Sequence, residues 1–477
     1  MKVIVITGIA LVMLMFMAGY SCAAESEVDA LLNLLEKKGI VSKEDVSEFR
    51  AEIAIKKQES PAQMKPATVP EWTQNIKWSG DVRFRTRGDW GKTAQNQPQT
   101  TNPTNAADMR QPRIQESVRG RFALDAKVND FTYAGTRLVG GGTNSRSDDD
   151  TLTDYFNKSP VMFDQYYIRF EASREMVVRY GQYFSDLKLW TGRFANPFET
   201  SEMAWDTDIT TGGIALQYAS PTISAGFLPD LKVYSNLGMV WVDEDANFNT
   251  DPILLGYQTG VKTEKFGDLD TVANISVALY DFANLQGKTP TANSAGTNSR
   301  TWLGTYGYGI GASSLGTYMY EYNVFDLLWK IDNERFLDLQ IPHGFYGDLL
   351  YNASVREPDG NKGVQVGAYI GKNKLKDPGD WKAKAEWRYI ERDAIPDFLP
   401  DSNFYGFGTY TNTATLPNVN GLPAAGGTNG KGVRLLYEFQ LFKSTLLNFS
   451  YYWMEPIKSF DKRDPYSQFL FDVIAKF

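Results

Sequence analysis

The chain has 477 residues, 14% of them aromatic, with a formal net charge of -8 and a pI near 5.1. That aromatic load excludes disorder over most of its length, and the acidic balance argues against a nucleic-acid partner. One cysteine, Cys22, and one histidine, His343, leave nothing from which to build a disulfide framework, a soft-ligand metal site or a c-type haem attachment, so no cofactor is expected.

Residues 1–24 read as a signal peptide: Lys2, an apolar run from Val3 to Gly19, then Ser21-Cys22-Ala23-Ala24. The alternatives are lipidation of Cys22, although Gly19 stands where a lipobox usually has Leu, and a retained anchor, for which the run is short. Residues 25–56 carry helical spacing. Val28, Leu31, Leu32 and Leu35 lie on one face, Gly39 ends the turn, and Ser42 with Asp45 opens a second segment bearing Val46, Phe49 and Ile53. This pair is too small to fold alone and is expected to be a short periplasmic helical segment. A polar, Pro-containing linker over 57–75 follows.

From Ile76 the period becomes two. In IKWSGDVRFRTRGDW, Asp81, Arg83, Arg85 and Arg87 alternate with Gly80, Val82, Phe84 and Thr86. The same pattern recurs in RIQESVRGRFALDAKV, with Arg119, Arg121 and Asp125 on its polar face, and in WKAKAEWRYIE, with Lys382, Lys384, Glu386 and Arg388 on its own. Sandwich strands run about 5 to 6 residues, whereas these reach the length needed to cross a bilayer at a tilt. Ionised groups on one face then require a wet interior, and only a closed barrel satisfies every backbone polar group in hydrocarbon. The chain stops on QFLFDVIAKF, where Phe469, Phe471, Val473, Ala475 and Phe477 share one face, as expected of a last membrane strand.

The expected strands are 76–90, 113–128, 131–141, 162–172, 176–185, 209–219, 231–243, 253–264, 269–281, 321–331, 335–356, 363–373, 381–393, 430–443, 445–456 and 467–477. Short connections at Asn129-Asp130, Ser173-Arg174 and Lys443-Ser444 fall on one side, and long ones at 91–112, 141–161, 186–208, 282–320 and 394–429 on the other. This holds if 335–356 is one strand bulged at Pro342-His343-Gly344. The fold expected for 76–477 is therefore an all-β transmembrane antiparallel barrel of about sixteen strands with both termini periplasmic.

Several segments resemble the proteobacterial putative-porin family: LLNLLEKKGIVSKEDV, Trp205-Asp206-Thr207-Asp208-Ile209 with Gly213, and GDWKAKAEWRYIERDA followed by Asp401-Ser402-Asn403-Phe404. The family often has Asp where this chain has Asn403. The resemblance implies an outer-membrane barrel of a Gram-negative bacterium, a homotrimer that passes small solutes and ions between outer-membrane lipids. The working parts are then the lumen charges. Arg83, Arg85, Arg87, Arg119, Arg121, Arg137 and Arg169 occupy inward positions of the first four strands. Two readings stand for this wall: it favours anions, or its arginines pair with Asp81, Asp125 and Glu171 to brace the barrel. Asp148-Asp149-Asp150 reads either as a calcium-binding run or as a solvated loop. The 282–320 loop either constricts the pore or stays on the surface, and His343 reads as structural. A barrel sheathing an electron conduit, with haem supplied by partners, is the alternative function. An outer-membrane hydrolase lacks a triad, and a soluble binding protein leaves the long strands unexplained.

Overall fold

In the computed structural model, residues 75–91 and 113–477 are described, apart from 143, 153, 157, 225, 227, 245–249, 290–296, 299, 302–316, 337–339, 357–359, 408–422, 425 and 459–464. The expected signal peptide and helical segment, the linker up to residue 74 and nearly all of the 91–112 loop lie outside these residues.

Residues Ile76–Phe477 form one compact unit. Among the described residues sixteen antiparallel strands build its wall: β1 Ile76–Trp90, β2 Arg113–Lys127, β3 Thr132–Gly140, β4 Val161–Glu171, β5 Asp186–Ala195, β6 Thr210–Ala219, β7 Leu231–Trp241, β8 Ile253–Thr263, β9 Val272–Ala283, β10 Tyr322–Asn333, β11 His343–Asn352, β12 Lys362–Gly371, β13 Trp381–Ile390, β14 Gly430–Phe442, β15 Thr445–Pro456 and β16 Tyr466–Lys476. Each pairs with the next, and β16 returns to pair with β1, so the cylinder closes and leaves no open edge.

Register carries one facing rule around the ring. Arg85 lies opposite Ser117 on β2 and Asp472 on β16, while its neighbour Phe84 lies opposite Val118 and Val473. Alternation therefore sorts the two faces. Trp78 is 56% exposed on the outer surface, whereas Arg83, five residues on, is 8% exposed inside. The seam is finished by the C-terminal residue: Gly80 N donates to Phe477 O at 3.0 Å and Phe477 N donates to Gly80 O at 3.1 Å. A Cβ on Gly80 would sit 2.5 Å from the Phe477 ring, so only glycine lets that ring lie across β1.

Two expected strands are corrected. The segment 176–185 is not a strand: α1, Arg174–Tyr180, opens there, capped by Ser173 Oγ accepting from Met176 N at 3.2 Å, and the wall strand is β5. Adjacent apolar residues such as Val177-Val178 satisfy a short helix as readily as a strand, and the cap decides between them. Nor is 335–356 one bulged strand. β11 starts at His343, and 334–342 joins it to β10. Both changes preserve the parity of short and long connections, because each moves a strand boundary without inserting a strand.

Candidate functional site

The cylinder alone would be a wide tube, but long connections fold back into it. The 196–209 segment between β5 and β6 runs from one wall to another. Its Glu199 Oε2 accepts from Tyr234 Oη of β7 at 2.8 Å and from Asn274 Nδ2 of β9 at 2.6 Å. Ser201 Oγ donates to Asp348 on β11, and Glu202 Oε2 accepts from Arg388 of β13 at 3.0 Å and from Arg434 of β14. At the far end Asp208 Oδ1 accepts from Arg121 of β2 at 2.6 Å. Six strands of the wall thus hold one loop, which is possible only if it crosses the bore.

A second inward segment, 391–407, lies against the first. Asp206 N donates to Leu399 O at 2.7 Å, Asp401 N donates to Glu202 O at 3.0 Å, and Ser402 N donates to Asp206 Oδ2 at 2.7 Å. The two segments quoted above for the family resemblance, around Trp205-Asp206 and around Asp401-Ser402, therefore meet inside the barrel. Between them Phe198, Met203, Trp205, Ile395, Leu399 and Phe404 are buried against Tyr280, Tyr322 and Leu350 of the wall. Burying each large apolar side chain is worth about 1.5–3 kcal/mol, enough in sum to hold both loops off the external surface.

Charge fixes their ends. Arg388 is 0% exposed and bridges three carboxylates: Nη1 donates to Asp401 Oδ2 at 3.0 Å, and Nη2 to Glu202 Oε2 at 3.0 Å and Glu386 Oε1 at 2.5 Å. Lys384 Nζ adds a 2.7 Å pair to Glu386, and Tyr346 Oη donates to the same carboxylate at 2.7 Å. Burial pushes Glu202 up, but Arg434, Lys384 and Arg388 outweigh it and hold the carboxyl at about 2. Its pKa is depressed from an ordinary 4.5, so the latch is fully made above pH 4.5 and is lost as pH falls toward 2. Thermal unfolding of the wild-type protein and Glu202→Gln compared across pH tests this: their difference is expected to stay flat from neutral pH to 4.5 and to vanish near 2. A difference independent of pH would contradict it.

All seven arginines expected on the inner face carry carboxylate partners. Arg83 contacts Asp149; Arg85 holds Asp149 at 2.9 Å and clasps Asp472 through Nε at 2.6 Å and Nη2 at 2.9 Å. Arg119 holds Asp81 at 2.7 Å, and Arg121 contacts Asp148 as well as Asp208. These four form one cluster. Arg87 turns instead to Asp89 at 2.9 Å beneath the Tyr405 ring, and Arg137 to Asp164. Arg169 sits near the short-turn end, on Asp125 at 2.9 Å and Glu171 at 2.6 Å, with its guanidinium 4.6 Å from the Tyr133 ring centre and 4.9 Å from that of Trp190.

The acidic run at 148–150 is not a solvated loop face. Asn144 to Asp149 fold inward, and 150–151 return to pair with β2 at Val118 and Ser117. Asp148 and Asp149 thereby reach the arginine cluster. Burial raises Asp149, but Arg85 and Arg83 prevail and hold it below its usual value, whereas burial keeps Asp148 above its own despite Arg121. In the 282–320 loop, Asn298 Nδ2 donates to Ile395 O at 3.0 Å and so ties its described part to the inward 391–407 segment. His343 Nε2 lies 3.3 Å from Asn333 Nδ2, and its ring meets Phe336 edge-on at 5.1 Å, a packed position at the short-turn end.

Sequence reasoning placed Glu386 and Arg388 on the polar face of their strand without marking them as site residues. It missed Glu202, Asp208, Asp401 and Arg434, whose roles arise where loops meet the wall, 87 positions apart for Asp208 and Arg121 and 232 for Glu202 and Arg434.

The family described as Putative porin matches residues 39–304 and 348–477. Among solved structures, a loop-deletion form of the Vibrio cholerae outer membrane protein OmpT is 11% identical, with a TM-score of 0.42 over 84% of this chain and 99% of that one. OprB of Pseudomonas putida at high pH is 9% identical, with a TM-score of 0.47 over 85% and 95%. The trimer form of in-vitro folded Vibrio cholerae OmpT is 11% identical, at 0.40 over 84% and 99%. No curated protein matches.

Proposed function

Because the chain belongs to the putative-porin family, a porin-type channel of the Gram-negative outer membrane rather than an enzyme, we propose that its bore passes small hydrophilic solutes and ions by passive diffusion. The observation that carries this is the charged, loop-crossed interior of a closed cylinder whose outer surface is apolar. We further infer that Arg83, Arg85, Arg87, Arg119, Arg121, Arg137 and Arg169 line the pore as a braced wall with little preference for ion sign. Around the four clustered arginines stand five carboxylates, Asp81, Asp148, Asp149, Asp208 and Asp472, so the wall presents no net positive charge to a passing ion. The homotrimer implied by the family resemblance belongs to this proposal.

Purified protein in planar bilayers under a KCl gradient is the test. A near-zero reversal potential is expected for the wild type, and Asp149→Asn, which frees charge on Arg83 and Arg85, is expected to move it toward anion selectivity. A strongly anion-selective wild type, unmoved by Asp149→Asn, would refute the braced wall. Absence of any conductance would refute the diffusion channel.

A further inference from the structure

The accessible positive charge of the bore is not on the arginine wall. Register around the ring places Lys232 of β7 directly opposite Lys262 of β8, and Asn274 of β9 opposite Lys262 on one side and Lys330 of β10 on the other. All four face inward, since Tyr234 and Asn274, which share their faces, both bond to Glu199 of the bore-crossing loop. The row lies near the short-turn mouth, within the first or last few residues of each strand.

Opposed like charges on neighbouring strands sit about 4.5–5.5 Å apart at Cβ and destabilise a sheet. An anion held between them removes that cost. Lys262 is exposed and makes no ion pair among the described residues. Its neighbours hold weak partners: Lys232 Nζ lies 3.1 Å from Glu264 and Lys330 Nζ 2.9 Å from Asp332, with the two lysine side chains 42% and 40% exposed. Such solvent-exposed pairs are weak, because water screens them and each holds a flexible side chain in place, so a ligand can replace them. Lys330 Nζ also stands 5.7 Å from the Tyr369 ring centre, which fixes its direction. The opposing influence is Glu199, whose carboxylate is clasped by Tyr234 and Asn274 on the loop side of the row. By contrast Arg83, Arg85 and Arg119 are buried and already bonded to carboxylates.

We propose that Lys232, Lys262 and Lys330 form a subsite for small divalent oxyanions at the short-turn mouth. This deepens the channel reading by naming a class of solute that the channel holds in transit. Lys262 is the central donor, Lys232 and Lys330 exchange their surface carboxylates for the ligand, and Glu199 sets how tightly it binds.

The full chain in detergent micelles, titrated calorimetrically with inorganic phosphate at mildly alkaline pH, tests the subsite without requiring conduction. Saturable binding is expected, weakened about tenfold, or 1.4 kcal/mol, in Lys262→Gln. Glu199→Gln is expected to tighten it, Arg83→Gln to leave it unchanged, and monovalent nitrate to bind far more weakly. Phosphate added to bilayer recordings in KCl should lower the current through the wild type and not through Lys262→Gln. Conduction in KCl without saturable phosphate binding, or equal binding in Lys262→Gln, overturns the subsite and leaves the channel standing. Binding without conduction overturns the channel and leaves the subsite. Equal loss in Arg83→Gln would move the site to the other wall and overturn the assignment.

Discussion

Arg388→Met is expected to lower the stability of the barrel by about 3–5 kcal/mol, the cost of leaving buried charges unpaired. The side chain is 0% exposed and is the only described group bonded to Asp401, Glu202 and Glu386 together. After the change Glu202 keeps Arg434, and Glu386 keeps Lys384 and Tyr346, but Asp401 retains only local donors, the N and Nδ2 of Asn403. The unsatisfied charge therefore falls on the 391–407 segment. Arg388→Lys preserves the cation, yet its compact ammonium lacks the planar fork that reaches three carboxylates from one point. It is expected to lose less than Met and to recover only part of the wild-type value. Thermal unfolding in detergent, followed by circular dichroism, measures both. Unfolding of Arg388→Met at the wild-type temperature would show that the cluster does not support the fold.

The second large effect is on conduction. Replacing the stretch from Phe198 to Thr207 with a short Gly-Ser connection is expected to raise single-channel conductance severalfold, because it removes the bore-crossing stretch bonded to β7, β9, β11, β13 and β14. The wall itself should survive, since its strand ladder is continuous without the loop. Stability is expected to fall, as Tyr280 and Leu350 lose apolar cover and Arg388 loses Glu202. Detergent-resistant barrels with unchanged conductance would mean that the 196–209 segment does not narrow the path.

The two effects separate wall from loop. Arg388 ties both inward segments to β13, so its removal weakens the assembly, while deletion of 198–207 leaves the wall and removes the obstruction. In the deletion background Arg388 still holds Asp401 and Glu386, so adding Arg388→Met is expected to lower stability further there as well.

Alternation alone makes the wall legible in the chain. Trp78, Val82 and Phe84 on one face and Asp81, Arg83 and Arg85 on the other follow from the two-residue repeat of an extended chain, and antiparallel pairing carries that assignment unchanged to the next strand. The number of strands followed from the parity of short and long connections. Boundaries were less secure where composition allows either structure: 176–185 is apolar enough for a strand, and a Ser173 cap made its first half a helix. The 335–356 stretch reads as one strand only because the parity of the connections asks for it, although the sheet takes up just His343–Asn352.

The closed cylinder, its dry outside and wet inside, and the inward row of arginines follow from local pattern, because each depends on residues two apart on one strand or on a neighbour in register. Which charges are spent and which stay open to solvent depends on contacts between distant parts of the chain. Asp149 neutralises Arg83 across 66 positions and Glu202 reaches Arg434 across 232, while Lys262 is left without such a partner among the described residues. The physical reason is that a loop's path is set by summed burial and ion pairing against distant walls, and no local period in the chain records where those walls stand.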